Sequence, residues 1–443
     1  MAISAARTAA FDILLRVERE DAYASELLHS SQHEKLAPID HRLAMELVMG
    51  VERWRSWLDE RIAAQSSQPL EKLDREVLTA LRLAAYQLAF LSRVPARAAV
   101  HESAELVKRA RKRSAVSFVN AVLRKLAAVP MDRAQSAENA PSTNELSAAT
   151  AHPLWLAERW TAEYGFAIAR RICEYDQQIP ETAIRMQSKN EEEELRREGV
   201  RLKPGALLKS ARRVVDGDVT KSRAFREGRV TIQDEGSQLV AKIAGSGTRI
   251  LDCCAAPGGK ARVLAEQNPQ AAIVALELHP HRAALLRQRV TAGNVEVRTA
   301  DVREFAGHEP FHLVLADVPC TGTGTLARHP EIKWRLKPQD LTDLAGRQLE
   351  LLRAAMKQAA PQGRVVYSTC SLEPEENSAV VEKALAENAG FRLLDCGREL
   401  DRLAAEGELT WSDPQSLLSG PCLRTIPGVQ PSDGFFAAIL ARS

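Results

Sequence analysis

Two cysteines in the second half of the chain each follow a short apolar run that is typical of a buried strand. Cys320 stands in DVPC at the end of FHLVLADV (311–318), and Cys370 ends GRVVYSTC (363–370). A free cysteine is most often a small buried hydrophobic residue, and either one alone is best interpreted in that way. A pair at the ends of two strands of one sheet would face a single cleft, where a thiolate can act as a nucleophile.

Two thiols beside a carboxylate suit the methylation of carbon 5 of a cytosine. That carbon becomes nucleophilic after a thiolate adds to carbon 6 of the ring, and a base must then remove the proton from carbon 5. Asp317 stands three residues before Cys320, where it could bind the pyrimidine edge as charge develops there. Spacing alone does not show which of the two cysteines attacks.

A glycine-rich loop, CCAAPGGK, follows Asp252 and leads into a helical pattern. Gly258 and Gly259 would let a ligand approach the backbone, and the amides at a helix start favour a negative group. The loop matches neither the dinucleotide nor the triphosphate motif, so we expect a nucleoside with a short charged tail. A single acid at a strand end is more often a cap, but Asp252, Glu277 and Asp301 follow three successive strands. From these we infer S-adenosylmethionine as the ligand.

The elements that would position these residues follow from the hydrophobic pattern. From residue 247 onward, β-rich runs alternate with helix-length segments, which predicts a Rossmann-like, doubly wound parallel sheet in a domain spanning 246–443. Residues 1–130 have apolar positions three and four apart and predict an all-helical domain. Residues 153–245 predict a small α/β domain, and residues 131–152, rich in Ala, Ser, Asn and Pro, predict a linker.

The composition of the 443-residue chain is that of a globular protein, with 45% hydrophobic and 27% charged residues. Charged residues interrupt the apolar N-terminal run, so we expect no signal peptide, no membrane span and a cytoplasmic location. The seven cysteines include no CxxC pair and no zinc-like spacing. We therefore expect no disulfide framework and no metal site, and we expect a monomer.

One segment is strongly basic although the formal net charge of the chain is only +2. The sequence KRARKR contributes Lys108, Arg109, Arg111, Lys112 and Arg113. Such a run is often no more than a solvated helix face. Together with the catalytic motifs, it is interpreted here as a surface that binds RNA phosphates.

Three motifs, DCCAAPGGK, DVPCTGTG and YSTCSLEPEEN, resemble the signatures of the Sun/Fmu, or RsmB, family of RNA cytosine-5 methyltransferases. SFVNAVLRKL is similar to the end of a NusB-like RNA-binding domain, and SDGFFAAIL is similar to the last strand of the family. The resemblance covers nearly the whole chain. It implies a NusB-like helical domain, a class I methyltransferase domain and S-adenosylmethionine as cofactor. It also implies 16S ribosomal RNA as partner, with cytosine 967 as the target.

The same resemblance implies roles for individual residues. Cys370 would be the nucleophile, Cys320 would assist product release, and Asp317 would activate the base. Together with Asp252, the residues that would surround the cofactor are Cys254, Ala255, Ala256, Pro257, Gly258, Gly259, Lys260, Glu277, Asp301 and Asp317.

Other functions remain open on the sequence alone. Transfer-RNA methylation would use the same chemistry, and the NusB-like extension argues against it only by resemblance. A DNA methyltransferase would use the Pro-Cys thiol, here Cys320, as its nucleophile, whereas the STCS motif favours the RNA class. An RNA-binding assembly factor with a silent catalytic domain would have no chemical need for Cys320, Cys370 and Asp317.

Overall fold

The chain forms two compact units. The computed structural model describes residues 3–30, 36–129, 137, 140–307 and 309–443. The helical unit comprises residues up to Ile179 together with Leu326–Arg335, and the sheet unit comprises Pro180–Thr325 and Leu336–Ser443. Within the described ranges, no helix is long and apolar enough to cross a bilayer. In the same ranges, no group of three or more His, Cys, Asp or Glu side chains could hold a metal ion.

The helical unit is built from ten amphipathic helices that precede residue 180 in its described part. They are α1 Ala5–Glu20, α2 Ala24–Leu28, α3 Pro38–Arg53, α4 Arg55–Gln65, α5 Arg75–Phe90, α6 Ala96–Arg109, α7 Val116–Ala128, α8 Thr143–Ala149, α9 Leu154–Tyr164 and α10 Phe166–Asp176. The first seven surround one apolar core, which contains Phe11 and Trp57. Ser4 caps α1 by accepting from the N–H of Arg7, and Pro38 opens α3. The predicted all-helical N-terminal region is confirmed.

The segment interpreted as a linker, 131–152, contains the short helix α8. Ser142 caps this helix, and Leu146 is fully buried beneath it. A single large apolar residue is too weak a signal for a helical pattern to show. Residues 131–136, 138 and 139 of the same segment lie outside the described residues. The predicted domain bounds stay a prediction, although contacts group α9 and α10 with the helical unit.

The sheet unit begins with a small antiparallel sheet. Its elements are β1 Ala183–Met186, α11 Asn190–Arg197, β2 Arg201–Pro204, β3 Ala211–Asp216, α12 Arg223–Arg226 and β4 Val230–Ile232. The strands run in the order β2-β3-β1-β4. The segments ETAIRMQSK and GRVTIQD predict β1 and β4, and EEEELRREG predicts the acidic helix α11, but no segment predicts β2 and β3. Those two strands are rich in Arg and Lys and lack the alternation on which strand prediction depends.

A large mixed sheet completes the sheet unit. Its elements, with α16 of the helical unit in chain order, are α13 Glu235–Ile243, β5 Arg249–Asp252, α14 Gly259–Gln267, β6 Ala272–Glu277, α15 Pro280–Arg289, β7 Val295–Thr299, β8 Phe311–Asp317, α16 Ile332–Arg335, α17 Pro338–Gln358, β9 Ala359–Thr369, α18 Ser378–Ala386, β10 Phe391–Leu394, α19 Gly397–Ala405, β11 Leu418–Ser419, β12 Cys422–Thr425 and β13 Phe435–Arg442. The five predicted strands are confirmed as a parallel set in the order β9-β8-β5-β6-β7. Strand β13 pairs antiparallel with β9, β10 and β12 pair antiparallel with β13, and β11 pairs antiparallel with β12.

Alternate residues of the parallel strands enter two separate apolar layers. Ile250, Leu313 and Val366 pack in one layer with α13, α14 and α19. Leu251 and Val314 point the other way and pack with α17 and α18. Because the sheet is covered on both faces, the carboxyl ends of β5 to β9 form one rigid edge for a site.

The segment Leu326–Arg335 leaves the sheet unit and packs within the helical unit. Its Lys333 is almost completely buried, and the amine donates to the carbonyl of Arg53 at 3.0 Å and to that of Ala151 at 2.9 Å. Burial lowers the pKa of Lys333 to about 7. The segment is therefore fixed by backbone carbonyls of the helical unit.

Candidate active site

The two cysteine loops meet at the carboxyl ends of β8 and β9. The sulfur of Cys320 lies 3.3 Å from that of Cys370, and the backbone N–H of Cys370 donates to the Cys320 sulfur at 3.3 Å. This confirms that the sheet brings both thiols to one place. The hydrogen bond with Cys370, followed by burial, raises the pKa of Cys320 well above its usual value. Cys320 therefore holds its proton tightly.

Asp317 and Lys260 form an ion pair at the same edge of the sheet. The Lys260 amine donates to Oδ2 of Asp317 at 2.7 Å, and the Ser368 hydroxyl donates to Oδ1 at 2.7 Å. Burial alone would lower the pKa of Lys260, but the charge and hydrogen bond of Asp317 outweigh it and raise that pKa. Lys260 therefore stays cationic. The Asp317 carboxylate keeps further lone pairs that could accept from a substrate.

The loop after β5 requires glycine at position 258. Gly258 caps α14 with a φ of 109°, in the left-handed region. A Cβ at Gly258 would lie 2.7 Å from Cγ2 of Val290 and 2.9 Å from Cδ1 of Leu286. The loop residues that precede it and were predicted to line the pocket are Cys254, Ala255, Ala256 and Pro257. They form the turn between β5 and α14, and Gly259 is the first residue of that helix.

Asp252 ends β5 as a buried carboxylate that lacks a hydrogen-bond donor. It is 1% exposed, and neither of its oxygens has a hydrogen-bond partner among the described residues. Burial, and next the charge of Asp317, raises the pKa of Asp252 to about 7. A buried carboxylate without donors is costly, so the position calls for a cationic partner. The ammonium group of an amino-acid tail, such as that of S-adenosylmethionine, fits this requirement.

Glu277 ends β6 and Asp301 follows β7, at the predicted strand ends, and both serve as caps of the following turn. Glu277 accepts from the N–H of His279 at 2.9 Å. Asp301 accepts from the N–H of Arg303 at 2.8 Å and pairs with its guanidinium at 2.6 Å. The hydrogen bond from Arg303 lowers the pKa of Asp301. Their placement agrees with a ribose and an adenine contact, and those roles stay predictions.

Glu376 is a site residue that the sequence reasoning missed. It is fully buried between the two cysteine loops. Its carboxylate accepts from the backbone N–H of Thr321 at 2.9 Å and from the Gln348 amide at 2.7 Å. Glu376 occurs within the quoted LEPEEN motif, but nothing local in that motif shows which acid turns inward.

The basic stretch lies at the end of α6 and is partly neutralised. Three of its side chains form ion pairs within the helical unit: Lys108 with Glu105 at 2.6 Å, Arg109 with Asp12 at 2.7 Å and Lys112 with Asp74 at 3.0 Å. Arg111 and Arg113 are exposed and form no ion pair within the described part of the chain. Beside the stretch, an open groove of about 590 Å³ is lined by Arg97, Lys108 and Arg124. Its role in RNA binding stays a prediction.

Comparisons with known proteins agree with the fold and the motifs. The family model described as "16S rRNA methyltransferase RsmB/F" matches residues 243–441, and the "NusB family" model matches residues 4–128. A Bacillus subtilis protein named "Probable ribosomal RNA small subunit methyltransferase B" is 33% identical over an alignment of 400 positions, which covers 87% of this chain and 89% of that protein.

Two solved structures share the fold. The crystal structure of PH0851 has a TM-score of 0.80 at 21% identity and covers 99% of both chains. The structure of NSun6 from Pyrococcus horikoshii with SFG has a TM-score of 0.55 at 18% identity and covers 66% of this chain and 98% of that one. At these identities the structures show the fold alone. The family models and the Bacillus subtilis relative carry the assignment: the chain belongs to the RsmB family of 16S rRNA methyltransferases and is an RNA methyltransferase.

Proposed function

We propose that this chain transfers a methyl group from S-adenosylmethionine to carbon 5 of a cytosine in 16S ribosomal RNA through a covalent cysteine adduct. The observation that carries the proposal is the pair of thiols, Cys320 and Cys370, 3.3 Å apart at the strand ends. Asp317 ends the same strand that leads to Cys320. A methyltransferase that acted on an amine or a hydroxyl would have no need of two thiols here.

S-adenosylmethionine is supported by the loop after β5. When bound, it would supply an electrophilic methyl group. Asp252, the buried carboxylate without donors, would hold its ammonium group, while Glu277 and Asp301 would receive the ribose hydroxyls and the adenine amino group. The turn from Cys254 to Lys260 would approach the carboxylate with backbone amides. The NSun6 structure, which has the same fold, contains SFG, an analogue of this cofactor.

In the proposed reaction, Cys370 acts as a thiolate and forms a bond to carbon 6 of the cytosine. The electron pair of the 5,6 double bond moves to carbon 5, and Asp317 stabilises the ring by binding its edge. Carbon 5 would then attack the methyl group as its bond to the sulfonium sulfur breaks, with S-adenosylhomocysteine as the leaving group, and the methylated carbon 5 would carry one proton too many. A base takes that proton, the double bond forms again, and Cys370 leaves as a thiolate, a release that Cys320 assists.

Ribosomal RNA is supported as the substrate by the name of the Bacillus subtilis relative and by the NusB-like helical unit. The resemblance of the three motifs to the family supports cytosine 967 of 16S RNA as the nucleotide that we propose. A monomer in the cytoplasm is part of the same proposal.

Mapping 5-methylcytosine in ribosomal RNA tests this function. Cells that lack the protein should lose one 5-methylcytosine in 16S RNA, and the wild-type gene should restore it while Cys370→Ala should not. A loss in transfer RNA instead would identify the alternative substrate. Restoration by Cys370→Ala would show that the proposed covalent chemistry is wrong.

A further inference from the structure

One buried carboxylate holds both cysteine loops. Glu376 is 0% exposed and receives four hydrogen bonds from three residues. The donors are the N–H of Thr321 at 2.9 Å, its hydroxyl at 2.5 Å, the Gln348 amide at 2.7 Å and the Ser371 hydroxyl. Within the described chain, no Lys or Arg forms an ion pair with Glu376, so hydrogen bonds alone compensate for its burial.

The donors are placed symmetrically with respect to the two thiols. Thr321 directly follows Cys320, and Ser371 directly follows Cys370. Their hydroxyls also lie 3.1 Å apart, so both touch the same carboxylate and each other. A single side chain thereby connects the two positions from which the thiols project.

Further hydrogen bonds link the two cysteine loops to each other and to Gln348. The Gln348 amide that binds Glu376 also donates to the carbonyl of Pro319, the residue before Cys320, at 3.0 Å. The N–H of Gly324 donates to the carbonyl of Cys370 at 2.9 Å. The two loops are therefore joined directly after each thiol, and Glu376 is the point at which most of these bonds meet.

We propose that Glu376 is a positioning residue that fixes the distance between the Cys320 and Cys370 sulfurs. This inference rests on the proposed function, because the two thiols must act in turn on one cytosine. A displacement of about 1 Å in a reacting group can slow a reaction about a hundredfold. Glu376 itself touches neither thiol, and it acts through Thr321 and Ser371.

The variant Glu376→Gln has nearly the same shape as the wild type. It therefore keeps the packing around residue 376 but weakens the hydrogen bonds that position the two loops. An amide has one acceptor oxygen and one donor nitrogen, so it cannot accept from all four donors. We expect kcat for RNA methylation to fall about a hundredfold, with KM values for RNA and cofactor changed less than about threefold. Glu376→Asp, which keeps the carboxylate, should recover part of kcat. The matched control is Glu382→Gln on the exposed side of α18, which should leave kcat unchanged.

A second readout does not depend on methylation. The oxidant diamide takes two hydrogens from a pair of close thiols, and the rate at which Cys320 and Cys370 become linked reports their proximity. We expect this rate, followed by peptide mass analysis, to fall at least tenfold in Glu376→Gln and to stay at the wild-type value in Glu382→Gln. If Glu376→Gln does not fold, Ser371→Ala removes one donor and should slow both linking and turnover.

The outcomes are distinct. Wild-type linking and turnover in Glu376→Gln would overturn the inference, and so would a fall in turnover with wild-type linking. A wild-type protein that transfers no methyl group to RNA would contradict the proposed function, whereas the linking rates would still test the role of Glu376.

Discussion

At the scale of single residues, the cofactor end of the site depends on Asp252, a buried carboxyl group to which no side chain among the described residues donates a hydrogen bond. Asp252 has a pKa raised to about 7 by burial and then by Asp317, while Lys260 acts in the opposite direction. In the protein without ligand, the native state therefore keeps a proton that the unfolded state loses above about pH 4. For this reason, the free energy of unfolding of the ligand-free protein should decrease as the pH rises from about 4 to about 7.

Binding of a cation should favour the ionised form of Asp252 over the protonated form. Ionised Asp252 attracts an ammonium group, so cofactor affinity should rise as the pH rises to about 7, with release of a proton on binding. Asp252→Asn should bind more weakly and should lose this pH dependence. Calorimetry in buffers of different ionisation enthalpy measures both the cofactor affinity and the number of protons released on binding. Identical pH profiles for the wild type and Asp252→Asn would show that Asp252 does not face the cofactor.

Glu277 gives a second prediction at this scale. Loss of a charge-assisted hydrogen bond costs about 1.5–3 kcal/mol, so Glu277→Ala should weaken cofactor binding about ten- to a hundredfold. Because Glu277 also caps a turn by accepting from His279, Glu277→Gln is the useful partner variant. It keeps an acceptor for the turn but not the charge. Unchanged calorimetric affinity in both variants would exclude the ribose contact.

At the scale of elements, the strand-to-helix turn after β5 requires glycine. Gly258→Ala would place a side chain in the left-handed region, which costs about 1–2 kcal/mol, and would crowd Val290 and Leu286. We expect a lower free energy of unfolding and a loss of cofactor binding. The control is Gly346→Ala, at a helical position with no atom within 4 Å of the added Cβ. It should be neutral or stabilising by up to about 1 kcal/mol. Equal stability of the two variants would contradict the proposed need for glycine.

The elements also show what the sequence can and cannot reveal. Strands β5 to β9 are predictable because apolar β-rich runs recur between helical patterns, and the rule for strand ends then places Asp252, Cys320 and Cys370 at one edge. Strands β2 and β3 and helix α8 are missed because they carry few apolar residues. Glu376 is missed because its role depends on Gln348 and Thr321, which are far from it in sequence and are brought to it only by the folded sheet.

At the scale of the whole molecule, the charge is nearly balanced, with a formal net charge of +2. Affinity for a polyanion must therefore come from local basic surfaces. The stretch predicted from the sequence is weaker than its composition suggests, because acids elsewhere in the helical unit pair with Lys108, Arg109 and Lys112. Such tertiary pairing cannot be seen in the sequence. Arg111 and Arg113 remain as its exposed cations without ion pairs among the described residues.

We expect Arg111→Gln with Arg113→Gln to weaken RNA binding more than neutralisation of any two of the paired residues. Each lost phosphate contact should reduce the slope of log affinity against log salt by about 0.7–0.9. Cofactor affinity should not change. The control is the double variant Arg196→Gln with Arg197→Gln, on the exposed α11 helix, where both arginines are near Glu193. Fluorescence anisotropy with 16S RNA fragments gives both the RNA affinity and its dependence on salt. A wild-type slope in the Arg111 and Arg113 variant would identify the stretch as a solvated face.

The order in which the two cysteines act is the central claim, and denaturing electrophoresis with labelled RNA and S-adenosylmethionine tests it most directly. Cys370→Ala should neither methylate RNA nor form an adduct, because no bond to carbon 6 can form. Cys320→Ala should attack and methylate but fail to release, so that protein joined to methylated RNA accumulates and disappears on RNase treatment. An adduct in Cys370→Ala and none in Cys320→Ala would reverse the assignment, and normal turnover in both variants would contradict the covalent mechanism itself.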